Sequence, residues 1–572
     1  MTHSLEYLTI GIYLIFLIGL GIYLSRFNKN VSDYVRGGAQ GTWWLVGTSA
    51  FMSSISAYTF TANNGLAYEG GPTPLFIFLA ISSGLLVAAV FTGPWLRQSR
   101  ALTVYDIIRE RFGPEVEQFS AYLWLLTSLI AASIQLWALS VFISSVFGLP
   151  LIGTIVTLGF VVLFYSTIGG RWAVMATDFL QSLILVPMTL LIAFLCVHKI
   201  GGIGAFLDHF SMPEFAKDFK LINATEDFAG NKFAWKWIIA MFCVSFFNEI
   251  SITNAYKYLS VKDGREARKS ALLSLVLIAC GGIIFLLPGM TSRFLYSAEV
   301  AAMQMENPTQ SAYAVAALNI LPNGLAGILV AAMFAATMSS MDTGLNGSTG
   351  GVVNNLIPAL RRIFKLKPLK EATRVRLCKF VTLSLGLIII TFAVMWEVAE
   401  DMDIFEAFML FTSMIVLPMS FPFTVSLFIK RLPRWSFFFI LGCGIAPSVA
   451  AEISGRFFDS PWLFQDKLFW ILGWSTFATL LCMAFYKYSS AAYKERVEVF
   501  FKRLHTPVNF MEEVKVDRDQ EQLKLMGTTS IMGGSLLLLL LLVPNSLGGR
   551  ISVLFLAGFV IVVGIVLRRA AK

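Results

Sequence analysis

Fifteen stretches of this 572-residue chain are apolar for about the length of a membrane span, and nothing else in the sequence constrains its fold as strongly. A bilayer-crossing helix needs about 20 mostly apolar residues. The runs are Leu5 to Ser25, Trp43 to Ala67, Pro74 to Leu96, Phe119 to Val146, Leu151 to Ile168, Ala173 to His198, Trp237 to Ala255, Ser270 to Met290, Ala326 to Val353, Phe380 to Val398, Ile404 to Ile429, Trp435 to Ile453, Leu468 to Phe485, Met526 to Val543 and Ile551 to Leu567. Charged residues make up only 14% of the chain, well below the roughly one quarter of a soluble domain, so the expectation is an all-α polytopic membrane protein. No basic residue precedes the first run and Arg26 and Lys29 follow it, so it is read as a retained helix rather than a cleaved signal.

The formal charge of +9 suggests nucleic acid until its distribution is considered. With the N-terminus outside and fifteen alternating helices, the inner segments carry 34 Lys and Arg and the outer segments 8. Short cytoplasmic loops hold such an excess, so the charge reports topology and no nucleic-acid partner is expected. The C-terminus then lies in the cytoplasm, and the expected location is the plasma membrane, taken as a bacterial inner membrane. Cys196, Cys243, Cys280, Cys378, Cys443 and Cys482 all lie in or beside apolar runs and read as small apolar fillers. With four histidines in the chain, a His-rich metal site is not expected. The inner loop from Lys487 to Lys524 contains "KERVEVFFKRLHTPV", the pattern of a surface-lying amphipathic helix or of a solvated linker.

Polar residues inside a span are costly, so their clusters mark sites or packing seams. The second run contains "GTSAFMSSISAYTFTANNG", dense enough in hydroxyls for the backbone to leave the helical path near Met52 to Ser56 and free carbonyls for a cation; close packing through small residues is the alternative. In the ninth run, Ala336, Ser339 and Ser340 share a helix face, and Ser339, Asp342 and Thr343 repeat that spacing one turn on. Carbonyls and hydroxyls suit a hard monovalent cation without a carboxylate, whereas Asp342 at membrane depth needs a cation, a proton or hydrogen-bond donors. The sixth run carries Asp178 about one turn inside its expected cytoplasmic end, with Arg171 as a candidate partner. Asn248, Glu249, Ser251, Thr253 and Asn254 mark the seventh as a second interrupted helix, opening the second half of a five-plus-five arrangement of helices 2 to 6 and 7 to 11.

The stretches "SDYVRGGAQGTWWLVGTSAFMSSIS", "TVYDIIRERFG", "GGRWAVMATDFLQ", "YLSVKDGREARKSA", "AATMSSMDTGLNGSTG" and "LFIKRLPRW", in this order between Ser32 and Trp435, resemble the sodium/solute symporter family that includes the sodium/glucose cotransporters. The resemblance implies a LeuT-like inverted-repeat core that imports a small organic solute with Na+ by alternating access. It implies an extra helix and loop at 1–42, repeats at 43–198 and 237–430 around an extracellular loop at 199–236, two helices at 431–485, a cytoplasmic loop at 486–525 and two helices at 526–572. It also implies a main sodium site from the carbonyls of Met52 and Ile55 with Ala336, Ser339 and Ser340, and a second cation site from Asp178, Ser339, Asp342 and Thr343. Asp342 stands where the family often has serine or alanine, which leaves occupancy of that second site open. Where bacterial galactose carriers place amide, carboxylate and amine groups, this chain has Thr59, Phe78, Ser251 and Ile278, so a galactose-like pocket is not expected; Thr59, Asn63, Glu249 and Asn254 are the polar candidates around the solute. Two other classes compete: a solute sensor that keeps the transporter fold, and a membrane-embedded enzyme. No HExxH or paired-carboxylate motif supports the enzyme, so none is expected.

Overall fold

The computed structural model describes residues 37–252, 255–303, 307–322, 324–367, 369–398, 404–458, 460–513, 519–542 and 546–571, with positions 11, 15, 19, 22 and 23 before them. The expected first span, Leu5 to Ser25, therefore lies largely outside the described residues, as does Asn254.

Among the described residues the regular elements are all helices, joined by one isolated β-bridge between Gly41 and Val261. Among those residues eleven helices are long and apolar enough to cross a membrane, and a shorter apolar stretch, Leu151–Phe164, adds to them. The elements that build the centre are α1 (Trp43–Ser54), α2 (Ala57–Phe60), α3 (Ala62–Gly70), α4 (Leu75–Val87), α5 (Val104–Phe112), α6 (Pro114–Phe147), α7 (Leu151–Ile200), α8 (Trp235–Ile250), α9 (Gly264–Leu295) and α10 (Leu325–Gly351). Further out come α11 (Leu417–Phe428) and α12 (Ala491–Leu504). The runs expected at Leu151 to Ile168 and Ala173 to His198 appear among the described residues as the apolar stretches Leu151–Phe164 and Val174–Ile200 of α7, which places Asp178 about one turn inside the second of them.

The second expected span is broken. Ser53 and Ser54 return their hydroxyls to the carbonyls of Ser49 (2.8 Å) and Ala50 (3.0 Å), which satisfies the last turn of α1 locally. The chain then turns extended at Ile55 (φ −118°, ψ 138°) and Ser56 (φ −148°, ψ −179°) before α2 begins. The seventh span breaks after Ile250 and resumes as a 3-10 turn over Ala255–Ser260. The base of the first broken helix is tied to the second, with Gly41 N–H donating to the Ser260 carbonyl at 2.8 Å and Trp43 N–H to Glu266 Oε2 at 3.0 Å.

Asn64, fully buried on α3, explains how α9 tolerates Pro288. Its side-chain amide donates to the Phe285 carbonyl at 3.0 Å, and its carbonyl oxygen accepts from Gly289 N–H at 3.0 Å, bridging the groups on either side of the proline. Neighbouring polar side chains commonly re-satisfy a proline-disrupted membrane helix in this way. Asn64→Leu leaves a buried amide and a carbonyl without their partner, so a loss of about 2–4 kcal/mol is expected. Thermal unfolding of the detergent-solubilised variant checks it; an unchanged midpoint contradicts this role.

On the opposite side, Arg111 of α5 is the largest fully buried side chain. It donates to the Tyr493 hydroxyl (2.7 Å) on α12 and to the carbonyls of Ser426 (3.3 Å), Ile429 (3.1 Å) and Lys430 (3.2 Å) at the end of α11. Burial pushes the guanidinium below the ordinary arginine value, and the Tyr493 oxygen opposes that push. Arg503 adds an ion pair to Glu110 at 2.6 Å, so the amphipathic helix foreseen in the 486–525 loop is docked on the protein. Arg111→Met is expected to release α12, read as faster protease cleavage in the 486–513 segment of membrane-embedded protein.

Candidate functional site

The break between α1 and α2 faces α10. The Ser340 hydroxyl lies 3.2 Å from the Ser53 carbonyl, 3.2 Å from the Ile55 carbonyl and 3.3 Å from the Ala336 carbonyl. One hydroxyl hydrogen serves one good acceptor, so this point gathers more oxygen lone pairs than donors. Beside Ser340, the Ser339 Oγ is buried and has no hydrogen-bond partner among the described residues. Leaving a buried hydroxyl unpaired costs about 1–3 kcal/mol, and an acceptor-rich cup with an unpaired hydroxyl suits a bound cation. Met52, expected as a carbonyl ligand, accepts instead from Ile55 N–H at 3.3 Å, which leaves a lone pair free, while Ser53 supplies a carbonyl that the sequence reading missed. Thr337, three residues before Ser340 and so on the same face, was also missed. Its hydroxyl oxygen accepts from Ala57 N–H at 2.8 Å and pins the start of α2 against α10.

Two carboxylates stand behind the cup, each buried to 1% exposure. Asp178 on α7 accepts from the Ser49 hydroxyl on α1, and Asp342 on α10 accepts from the Ser166 hydroxyl on α7. With the Ser340 contacts, these links close a triangle of α1, α7 and α10, each side made by a hydroxyl and an oxygen acceptor. The side chains of Thr343 and of Arg171, the candidate partner of Asp178, lie outside the described residues.

The cup borders a cavity of about 270 Å³. Thr59, Asn63, Phe78 and Glu249, four of the expected solute residues, line it together with Ser340, Gln135, Asn248 and Lys257. Ser251 is buried at the end of α8 outside this lining, and Ile278 is buried on α9. Two glycines let the walls close in. A methyl at Gly84 would lie 2.8 Å from Glu249 Cβ, and one at Gly282 would lie 2.7 Å from Phe78 Cβ. Lys257 was counted among the cytoplasmic charges, yet it is only 2% exposed, with Nζ 3.4 Å from both the Ala50 carbonyl and the Ser54 hydroxyl. Its position seven residues past Ile250, inside the interrupted element, was the available signal.

Residues 34–436 match the sequence profile of the sodium:solute symporter family. The chain belongs to that family. This makes the symporter a transporter rather than an enzyme. It is 23% identical over 442 residues to the sodium/sialic acid symporter NanT of Aliivibrio fischeri, covering 75% of this chain and 84% of that one. It is 24% identical over 497 residues to sodium/glucose cotransporter 2 of Rattus norvegicus, covering 80% and 72%. Among solved structures, a substrate-bound outward-open Na+-coupled sialic acid symporter aligns with a TM-score of 0.71 at 20% identity, covering 85% of this chain and 98% of that one. The nucleobase-cation-symport-1 family transporter MHP1 aligns with a TM-score of 0.50 at 13% identity, covering 82% and 98%. The symporter's fold is accordingly LeuT-like, with two broken helices at the centre and further helices beyond the core.

Proposed function

We propose that the protein imports a small organic solute together with Na+ by alternating access. The observation that carries this reading is the cup at the α1–α2 break, where the carbonyls of Ser53 and Ile55 converge on the Ser340 hydroxyl, beside a Ser339 Oγ that has no hydrogen-bond partner among the described residues. Sodium would be held by Ser339, Ser340 and the carbonyls of Ser53, Ile55 and Ala336, with Met52 at the margin. A cation there joins α1 to α10 and stabilises whichever conformer keeps the two helices together. The solute would sit in the adjoining cavity against Thr59, Asn63, Phe78 and Glu249, with Ser251 and Asn254 contributing from the second break. Coupling requires only that ion and solute favour the same conformer. The membrane potential adds about 2.3 kcal/mol per charge per 100 mV to uptake. Asp178, Ser339, Asp342 and Thr343 would form a second cation site. The 34-to-8 excess of basic residues supports a plasma-membrane orientation with the N-terminus outside and the C-terminus in the cytoplasm.

Uptake of radiolabelled sugars, amino acids, nucleosides, carboxylates and vitamins into proteoliposomes, with an inward Na+ gradient and then with K+ in its place, tests the proposal. Sodium-dependent accumulation of one class is expected. Solute binding without accumulation would make the protein a sensor.

A further inference from the structure

A second cavity, of about 600 Å³, lies where α12 meets the ends of two membrane spans, and it shares no lining residue with the central one. Its size falls within the roughly 300–1,000 Å³ of ordinary ligand pockets. One span, Ser436–Gly455, starts directly after Trp435, and the other, Phe464–Tyr488, closes with Phe485 and Tyr488. These three aromatic side chains are exposed and line the cavity, with the Trp435 and Phe485 rings 6.2 Å apart. Exposed tryptophan and tyrosine at span ends mark the boundary between hydrocarbon and water, so the cavity opens at the depth of lipid headgroups.

The charge around it is basic and only partly matched. Arg434 is held by Glu115, Arg503 by Glu110 and Lys430 by Glu498. Arg496, on α12 and in the cavity lining, differs from them. Its Nε is buried without a hydrogen-bond partner among the described residues, and its guanidinium rests 5.3 Å from the centre of the Tyr493 ring. Lys494 donates to the Lys487 carbonyl at 2.9 Å, and the Lys487 ammonium lies 4.9 Å from the Tyr488 ring centre, so neither of these neighbouring charges is spent on a carboxylate. An arginine with open donors offers the planar fork that matches phosphate oxygens. Basic pockets between membrane helices at headgroup depth suit anionic lipid headgroups.

We infer that this cavity binds the headgroup of an anionic phospholipid, with the phosphodiester on Arg496, Arg434 at the rim and the acyl chains running down past Trp435 and Phe485. The exposed aromatic rim decides for a lipid over a soluble phosphate, because a ligand without acyl chains would leave Trp435 and Phe485 uncovered. Tyr493 forms part of the same wall and is also the residue that receives Arg111. A lipid seated here therefore gives α12 a second hold on the membrane-embedded body.

Native mass spectrometry of the full-length detergent-purified protein tests this, with titrations of phosphatidylglycerol and of phosphatidylcholine carrying the same chains. One phosphatidylglycerol per protein is expected to be retained at about 10-fold lower concentration than phosphatidylcholine. Arg496→Gln is expected to weaken that retention about 10-fold, since a charge-assisted hydrogen bond is lost. Arg569→Gln, at the end of the Leu547–Ala570 helix and outside this lining, is expected to leave it unchanged. Equal retention of the two lipids, wild-type retention in Arg496→Gln, or the same loss from Arg569→Gln overturns the inference. Displacement of the lipid by millimolar inorganic phosphate overturns it in favour of a soluble anion. A measurement on the wild type alone accompanies these: in nanodiscs, protease cleavage within 486–513 is expected to slow when phosphatidylglycerol replaces half of the phosphatidylcholine, and equal rates contradict the second hold on α12.

Discussion

Replacing Ser339 and Ser340 together by alanine is expected to abolish sodium-stimulated uptake while leaving the helix bundle assembled. The two hydroxyls are small, and their removal opens no large cavity, so the change falls on oxygen count rather than packing. Ser340 lies within 3.3 Å of the carbonyls of Ser53, Ile55 and Ala336, and the adjacent Ser339 Oγ has no hydrogen-bond partner among the described residues. Each lost ligand is worth about 1–3 kcal/mol, so sodium affinity should fall about 100-fold or more. The measurement is uptake against sodium concentration, with gel filtration and a thermal midpoint to show that the variant is folded. Wild-type sodium affinity in a folded double variant removes these serines from the site.

The second large effect is expected from Asp178→Asn. Asp178 is buried within α7 and accepts the Ser49 hydroxyl of α1, one turn before the break that shapes the cup. Asparagine keeps the size and an acceptor but removes the charge. If the carboxylate holds a second cation with Ser339, Asp342 and Thr343, that ion loses its strongest ligand, a change of about 3 kcal/mol or more. Equilibrium binding of radiosodium should then fall by one ion per protein while the cup still fills. An unchanged ion count assigns Asp178 a structural role, holding α7 to α1 through Ser49.

Much of this architecture was legible because membrane spans are written in runs of apolar residues, and a run of 20 leaves little choice. The breaks were legible for a related reason. Hydroxyls and amides at Ser53 to Asn64 and Asn248 to Glu249 are too costly in a lipid-facing helix, so their density marks where the backbone departs. Asp342 and Asp178 stood out on the same ground. What the sequence conceals is which atoms an interrupted helix frees. The carbonyl of Ser53 joins the cup and that of Met52 accepts from Ile55, a difference set by φ and ψ at Ile55 and Ser56 rather than by residue type. Lys257 was hidden for another reason: beside Lys262, Arg265 and Arg268 it reads as one more cytoplasmic charge, and only the 3-10 turn that returns the chain beneath α1 carries it into the cavity.

The account turns on whether the cup prefers one alkali ion. Thermal unfolding of the purified protein in rising NaCl, with KCl making up the ionic strength, measures this without knowledge of the solute. A saturable upward shift that follows sodium alone, and that disappears in the Ser339→Ala, Ser340→Ala variant, is the predicted result. Equal curves in the two salts, or a sodium shift that persists in the double variant, would contradict it.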